Sequence, residues 1–143
     1  MKMTGPNIDP TCPRCRTRGR ETFHYSHGRF KFDVERAWKL IDDHREILEL
    51  DRESIEWSLR GAAIDDGHLD HVDPSIPGLI AHIWIRSDDG EISRGHALID
   101  GNHRAARCLR DGLPFLVYVL SEDESDAILL HSPNKSKPAL APT

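Results

Sequence analysis

Several features that would mark a specialised class of protein are scarce in this chain. No apolar run approaches the roughly 18 residues of a membrane span, and the N-terminus lacks the apolar core of a secretory signal. The three cysteines are too few for a disulfide framework, and aromatic residues make up only 6% of the chain. We therefore expect a cytoplasmic protein that has no membrane partner.

The composition that is present suits one polar globular domain. The chain has 143 residues, of which 38% are hydrophobic and 30% are charged. Residues 1–32 hold seven basic residues against Asp9 and Glu21, although the whole chain has a net charge of -5. The rest of the chain is therefore acidic, which makes it a poor general surface for nucleic acid.

Residues 1–32 predict a basic arm or a small zinc knuckle, because they are rich in proline and glycine and show little apolar periodicity. Cys12 and Cys15 are followed by His24 and His27, which together are four ligands of the types that zinc prefers. A site with four protein ligands would be structural, since it leaves no open position. The alternative is that the cysteines are free thiols and the histidines are merely polar.

Residues 33–131 predict an α+β domain, with a small mixed sheet and packed helices. Asp33 is a candidate N-cap for an amphipathic helix that reaches about His44, and residues 54–59 alternate polar and apolar as a strand does. Strands are also predicted at 79–85, 96–99 and 115–120, the first two as a hairpin.

Two further helices are predicted in the second half of the chain. One runs from Asn102 to Asp111 with Gly112 at its C-terminus, and a short one begins at Glu122, where Ser121 and Glu124 have capping-box spacing. Residues 132–143 have the composition of a disordered tail.

The candidate functional site is the passage from the second hairpin strand into the helix, at Asp100, Gly101 and Asn102. A strand that turns directly into a helix gathers several backbone N–H groups at one point, and the helix dipole favours an anion there. His103, Arg104 and Arg107 would add an imidazole and two guanidiniums. The alternative is purely structural: Gly101 makes a turn, Asp100 caps the helix and the arginines are solvated.

Residues 75–120 resemble the ParB/sulfiredoxin superfamily in the order and spacing of several motifs. The matching features are the apolar run 80–86, the Asp-Gly turn 88–90, the Gly-x-x-Arg helix start 101–104 and the Gly-x-Pro of 112–114 before an apolar strand. The superfamily includes CTP-binding partition proteins, sulfiredoxins and free-serine kinases. The resemblance implies nucleotide or phosphate binding, with Gly101, His103 and Arg104 as phosphate contacts and ATP, ADP or CTP with magnesium as cofactors.

The chain also departs from members of this superfamily. Asn102 stands where sulfiredoxins have their catalytic cysteine, which argues against sulfinic-acid reduction by that route. The proline-broken segment 71–78 replaces the Gly-x-x-x-Pro loop of partition proteins, which argues against a CTP-driven clamp on DNA. Phosphoryl transfer or nucleotide hydrolysis stays open, with Glu56 and Asp100 as candidate bases and His103 as a third candidate catalytic residue.

Two other functions remain as alternatives. In the first, the domain is a non-catalytic module whose basic arm binds protein or nucleic acid. In the second, the segment that contains His68, Asp70, His71 and Asp73 belongs to an HNH-like metal-dependent nuclease, although the later asparagine and histidine of that motif have no convincing counterpart.

Overall fold

The structure is a computed structural model that describes residues 22–25 and 30–134. It has an α+β fold, as the sequence predicts. In chain order the elements are β1 (Thr22–Tyr25), β2 (Phe30–Asp33), α1 (Val34–Lys39), β3 (Leu48–Leu50), α2 (Arg52–Leu59), a 3₁₀ helix (Asp66–His71), β4 (Gly78–Arg86), β5 (Ile92–Asp100), α3 (Asn102–Asp111), β6 (Phe115–Val119), α4 (Glu122–Ala127) and β7 (Leu129–His131).

The strands form two sheets. The smaller sheet has the order β1-β2-β7 and is antiparallel, and the larger has the order β3-β6-β4-β5. In the larger sheet β4 and β5 form the predicted antiparallel hairpin, closed by a turn in which the Ser87 N–H donates to the Glu91 carbonyl at 2.8 Å. Strand β6 runs parallel to β4, and β3 runs antiparallel to β6.

The first helix is shorter than its sequence predicts. The Asp33 carboxylate caps α1 by accepting the Arg36 N–H at 3.0 Å, as expected for an N-cap. The helix ends at Lys39 rather than near residue 44, because the N–H groups of Leu40 and Ile41 bond to carbonyls three residues back. Such bonds tighten and close a final helical turn.

The strand predicted over residues 54–59 is wrong, because this segment is the helix α2. Asp51 caps it by accepting the Ser54 N–H at 2.7 Å. In a half-buried strand, Ile55 and Trp57 would point to the same side. Ile55 is buried, whereas Trp57 is 67% exposed. Ile55 and Leu59, one helical turn apart, both pack in the core instead.

The later elements agree with the sequence. Gly112 ends α3 in the left-handed conformation with φ of 69°, and the Leu113 N–H closes on the Cys108 carbonyl at 2.9 Å. Ser121 and Glu124 form the predicted capping box at the start of α4. In the described part of the chain, no helix is long and apolar enough to cross a membrane.

Alternate residues of β4 and β5 enter two separate core clusters, because successive side chains of a strand point to opposite faces. One cluster lies between the larger sheet, the smaller sheet and α1, and it includes Phe30 and Phe32, each 1% exposed. The other lies under α2 and α3 around Phe115. Since β2 contributes two buried phenylalanines, the folded domain begins before residue 33.

Side chains cover the edge of β4 beyond the end of β6. The His82 N–H donates to Ser125 Oγ at 2.9 Å, and the Trp84 carbonyl accepts Asn134 Nδ2 at 2.8 Å. The Arg86 N–H donates to Asn134 Oδ1 at 2.9 Å. The Asn134 amide thus pairs with this stretch of strand as a neighbouring backbone would.

Candidate functional site

The turn between β5 and α3 depends on a glycine. Gly101 has φ of 98° and is the N-cap of α3, and no side chain caps this helix. A Cβ atom at Gly101 would lie 3.0 Å from the Gly78 Cα and 3.2 Å from Arg104 Nη2. The position is therefore closed to other residues both by conformation and by space.

Asp100 does not cap α3, so that part of the structural alternative is wrong. Its Oδ2 accepts the Trp38 indole Nε1–H at 2.6 Å and Arg104 Nη2 at 3.3 Å. Trp38 reaches it from α1 and packs edge to face on Tyr118 at 6.1 Å between ring centroids. The carboxylate is thus fixed between an indole and a guanidinium beside the turn.

Arg104 is mostly buried, with 17% of its side chain exposed. Besides its bond to Asp100, its Nη2 donates to the Pro77 carbonyl at 3.1 Å. Its Nε is buried and has no hydrogen-bond partner within the described part of the chain. A buried donor of this kind is costly unless a solvent molecule or a ligand satisfies it.

Arg107 is directed away from the turn. Its Nη1 donates to the Val72 carbonyl at 2.9 Å, with longer contacts to the carbonyls of Leu69 and Asp70 at 3.5 Å. Its Nε donates to Asp111 Oδ2 at 3.3 Å. The guanidinium therefore holds the end of the 3₁₀ helix and the residue after it against α3.

His103 belongs to a row of three imidazoles that the sequence separates. Its Nε2 accepts the Asp65 N–H at 2.9 Å, so this nitrogen holds a lone pair and no proton. Its ring lies 5.1 Å from that of His68, which in turn lies 5.8 Å from His71. His103 is thus directed at the segment before the 3₁₀ helix.

Asp73 brings a negative charge to the same side of α3. Its carboxylate accepts both the hydroxyl and the N–H of Ser75, and these bonds lower its pKa more than any other cause. Arg104 and Arg107 lower the pKa of Asp73 further by their positive charge. The arginines therefore already attract one anion of the protein itself.

The remaining predicted site residues are scattered. Asn102 starts α3 and donates from Nδ2 to the Leu98 carbonyl at 3.2 Å. Glu56 is 56% exposed on α2, where it pairs with Arg52 at 3.7 Å. Cys108, which is not a predicted site residue, is buried in α3, and its burial raises the pKa of the thiol.

The predicted zinc ligands Cys12, Cys15 and His27 lie outside the described residues, and only the backbone of His24 is described, in β1. Within 22–25 and 30–134, no group of three or more His, Cys, Asp or Glu side chains is arranged to hold a metal ion. The zinc knuckle and the HNH-like nuclease stay predictions.

Neither a family model, nor a curated protein, nor a solved structure matches this chain. The resemblance to the ParB/sulfiredoxin superfamily therefore rests on the motifs of residues 75–120 alone.

Proposed function

We propose that this protein binds a small ligand through a phosphate or a similar oxyanion at the N-terminus of α3, beside Arg104. The observation that carries the proposal is the buried Nε of Arg104, which lacks a partner in the described residues and lies next to a helix start that no side chain caps.

An oxyanion is the chemical group that best satisfies both features. The first turn of a helix directs backbone N–H groups outward along its axis, and the helix dipole adds positive potential. A guanidinium N–H gives an oxyanion a charge-assisted bond, which is shorter and stronger than a neutral one.

The resemblance of residues 75–120 makes a nucleotide such as ATP, ADP or CTP, with magnesium, our preferred ligand. The arrangement of side chains supports binding more than catalysis. Of the two candidate bases, Glu56 lies on the exposed face of α2, and Asp100 already accepts two hydrogen bonds at Oδ2. Phosphoryl transfer and nucleotide hydrolysis would follow only after binding is established.

The test is the thermal stability of the full chain with inorganic phosphate, ATP, ADP, CTP and GTP, each with and without magnesium. A ligand at one hundred times its dissociation constant stabilises a protein by about 2.7 kcal/mol, which is readily measured. We expect such a shift for at least one ligand. Arg104→Lys should lose most of it, because lysine keeps the charge but has no donor at the Nε position.

Arg52→Lys is the matched control, since Arg52 is a 67% exposed arginine on α2. Its ligand shift should equal that of the parent protein. The proposal fails if no ligand stabilises the parent protein, or if Arg104→Lys, folded by circular dichroism, responds to the ligand as the parent does.

The alternative of a non-catalytic module that binds protein or nucleic acid through the basic arm has its own test. Deletion of residues 1–21 removes five of the basic residues and leaves β1 and β2 in place. Partner binding that disappears with this deletion, together with no ligand shift, would favour the module.

A further inference from the structure

Two histidines face each other across the hairpin of β4 and β5. His82 of β4 is directly opposite His96 of β5 in the antiparallel register. Their ring centroids lie 4.5 Å apart, with the ring planes at 52°. Directly opposite residues of an antiparallel pair project their side chains from the same face of the sheet.

The His82 ring is held in one orientation. Its Nδ1 lies 2.9 Å from the Leu120 carbonyl, which can only accept a hydrogen bond, so Nδ1 carries the proton. The Nε2 of the neutral ring then holds a lone pair. Histidines that ligate metals are commonly oriented in this way, with the second ring nitrogen donating to a carbonyl.

The surroundings of His96 favour its neutral form. Partial burial lowers the pKa of this imidazole, and the facing His82 acts in the same direction, whereas Glu122 opposes both. Glu122 lies at the start of α4 and pairs with Arg94 at 3.6 Å, so a carboxylate is present beside the two rings. A neutral imidazole is the form that binds a metal ion.

We propose that His82 and His96 together bind one divalent transition-metal ion that prefers imidazole ligands, such as zinc, nickel or copper, with solvent completing its coordination. Two nitrogens that each lie about 2.1 Å from one zinc ion are at most about 4 Å apart. Rings whose centroids are 4.5 Å apart can supply that separation. The residues of this site differ from those of the turn before α3 and from the predicted zinc ligands.

Nickel is the probe for the test, since it binds nitrogen ligands more strongly than manganese, iron or cobalt do. The number of nickel ions bound by the full chain is measured by equilibrium dialysis, together with their affinities. His96→Gln should weaken one binding site by roughly tenfold or more, the scale of loss when the surroundings of a metal ligand are altered. This variant leaves the His82 hydrogen bonds to the Ser125 hydroxyl and the Leu120 carbonyl intact.

His44→Gln is the matched control, because His44 is an exposed histidine outside the hairpin. It should bind nickel as the parent protein does. The double variant Cys12→Ser/Cys15→Ser removes two ligands of the predicted zinc knuckle. It should leave nickel binding at the site that depends on His96 unchanged. The proposal is overturned if His96→Gln binds the same number of ions with unchanged affinity, or if His44→Gln loses as much binding as His96→Gln.

Discussion

Gly101 is the residue on which the turn before α3 depends, and its replacement has a predictable effect on stability. Gly101→Ala places a Cβ 3.0 Å from the Gly78 Cα and imposes a side chain on a backbone with φ of 98°. The left-handed conformation alone costs about 1–2 kcal/mol, and the overpacking adds about 1–3 kcal/mol. Urea unfolding at pH 7 measures the total decrease in the free energy of unfolding.

Gly90→Ala provides the matched control for that measurement. Gly90 has φ of 91°, but a Cβ there would meet nothing within 4 Å. Gly90→Ala should therefore lose only the stability that the left-handed conformation costs, about 1–2 kcal/mol. Equal losses of stability in the two variants would contradict the proposed close packing of Gly101 against Gly78.

The pair of Arg45 and Glu124 should make stability depend on pH. Arg45 Nη1 donates to Glu124 Oε1 at 2.8 Å, and this bond is the main cause that lowers the pKa of Glu124 to about 2 from an ordinary 4.5. Because the pKa in the folded state is the lower one, the pair stabilises the fold fully above about pH 4.5. That contribution, at most about 3 kcal/mol, is lost as the pH falls towards 2.

Arg45→Gln should consequently lower the free energy of unfolding at pH 7 and have a smaller effect at pH 3, both measured in urea. Part of the loss should persist at pH 3, since Arg45 also donates to the carbonyls of Leu40 and Val119. Arg36→Gln, at an exposed arginine of α1, should change little at either pH. An Arg45→Gln deficit that is the same at both pH values would contradict the role of Glu124.

Single-residue features were predictable where the partners are neighbours in sequence. The cap at Asp33 and the capping box of Ser121 with Glu124 are contacts over three residues, so spacing reveals them. The carbonyls that accept from Arg104 and Arg107 lie 27 to 38 residues away. Every residue has a carbonyl, so nothing in the sequence distinguishes these acceptors.

At the scale of the elements, the end of the 3₁₀ helix is bonded to one side chain outside it. Arg107 of α3 donates to three carbonyls at the end of this helix, so Arg107→Gln should loosen residues 66–77 and leave the sheets intact. Amide hydrogen exchange should become faster in that segment alone, because local opening needs less free energy than global unfolding.

Arg110→Gln is the matched control on the same helix. Arg110 pairs with the Asp70 carboxylate at 2.9 Å, but its side chain is 44% exposed, and exposed ion pairs contribute little to stability. Its effect on exchange in residues 66–77 should be smaller than that of Arg107→Gln. Faster exchange throughout the chain in Arg107→Gln would contradict a local role.

Element type was predictable except where apolar spacing permits two interpretations. Residues 54–59 fit a two-residue period through Ile55, Trp57 and Leu59, and they fit a helical period through Ile55 and Leu59 alone. Packing of α2 against α3 selects the helix, and this contact joins segments about fifty residues apart. The sequence of residues 54–59 alone does not reveal that α3 is their packing partner.

At the scale of the whole molecule, the α+β class was predictable but the division into two sheets was not. Strand β2 pairs with β7, and Phe32 lies opposite Leu129. These two residues lie near opposite ends of the described sequence. Neither strand has a turn signal that links it to the other. The sequence alone therefore assigns Phe30 and Phe32 to the basic arm, because it does not indicate the second sheet.

The covered edge of β4 has a consequence for how molecules of this protein meet one another. A bare strand edge offers alternating N–H and C=O groups to a second chain and so promotes aggregation. Asn134 satisfies two of these backbone groups and Ser125 a third. Neither side chain offers a continuing row of donors and acceptors on its outer side. Another copy of the chain therefore cannot add a strand to the stretch of β4 that lies beyond the end of β6.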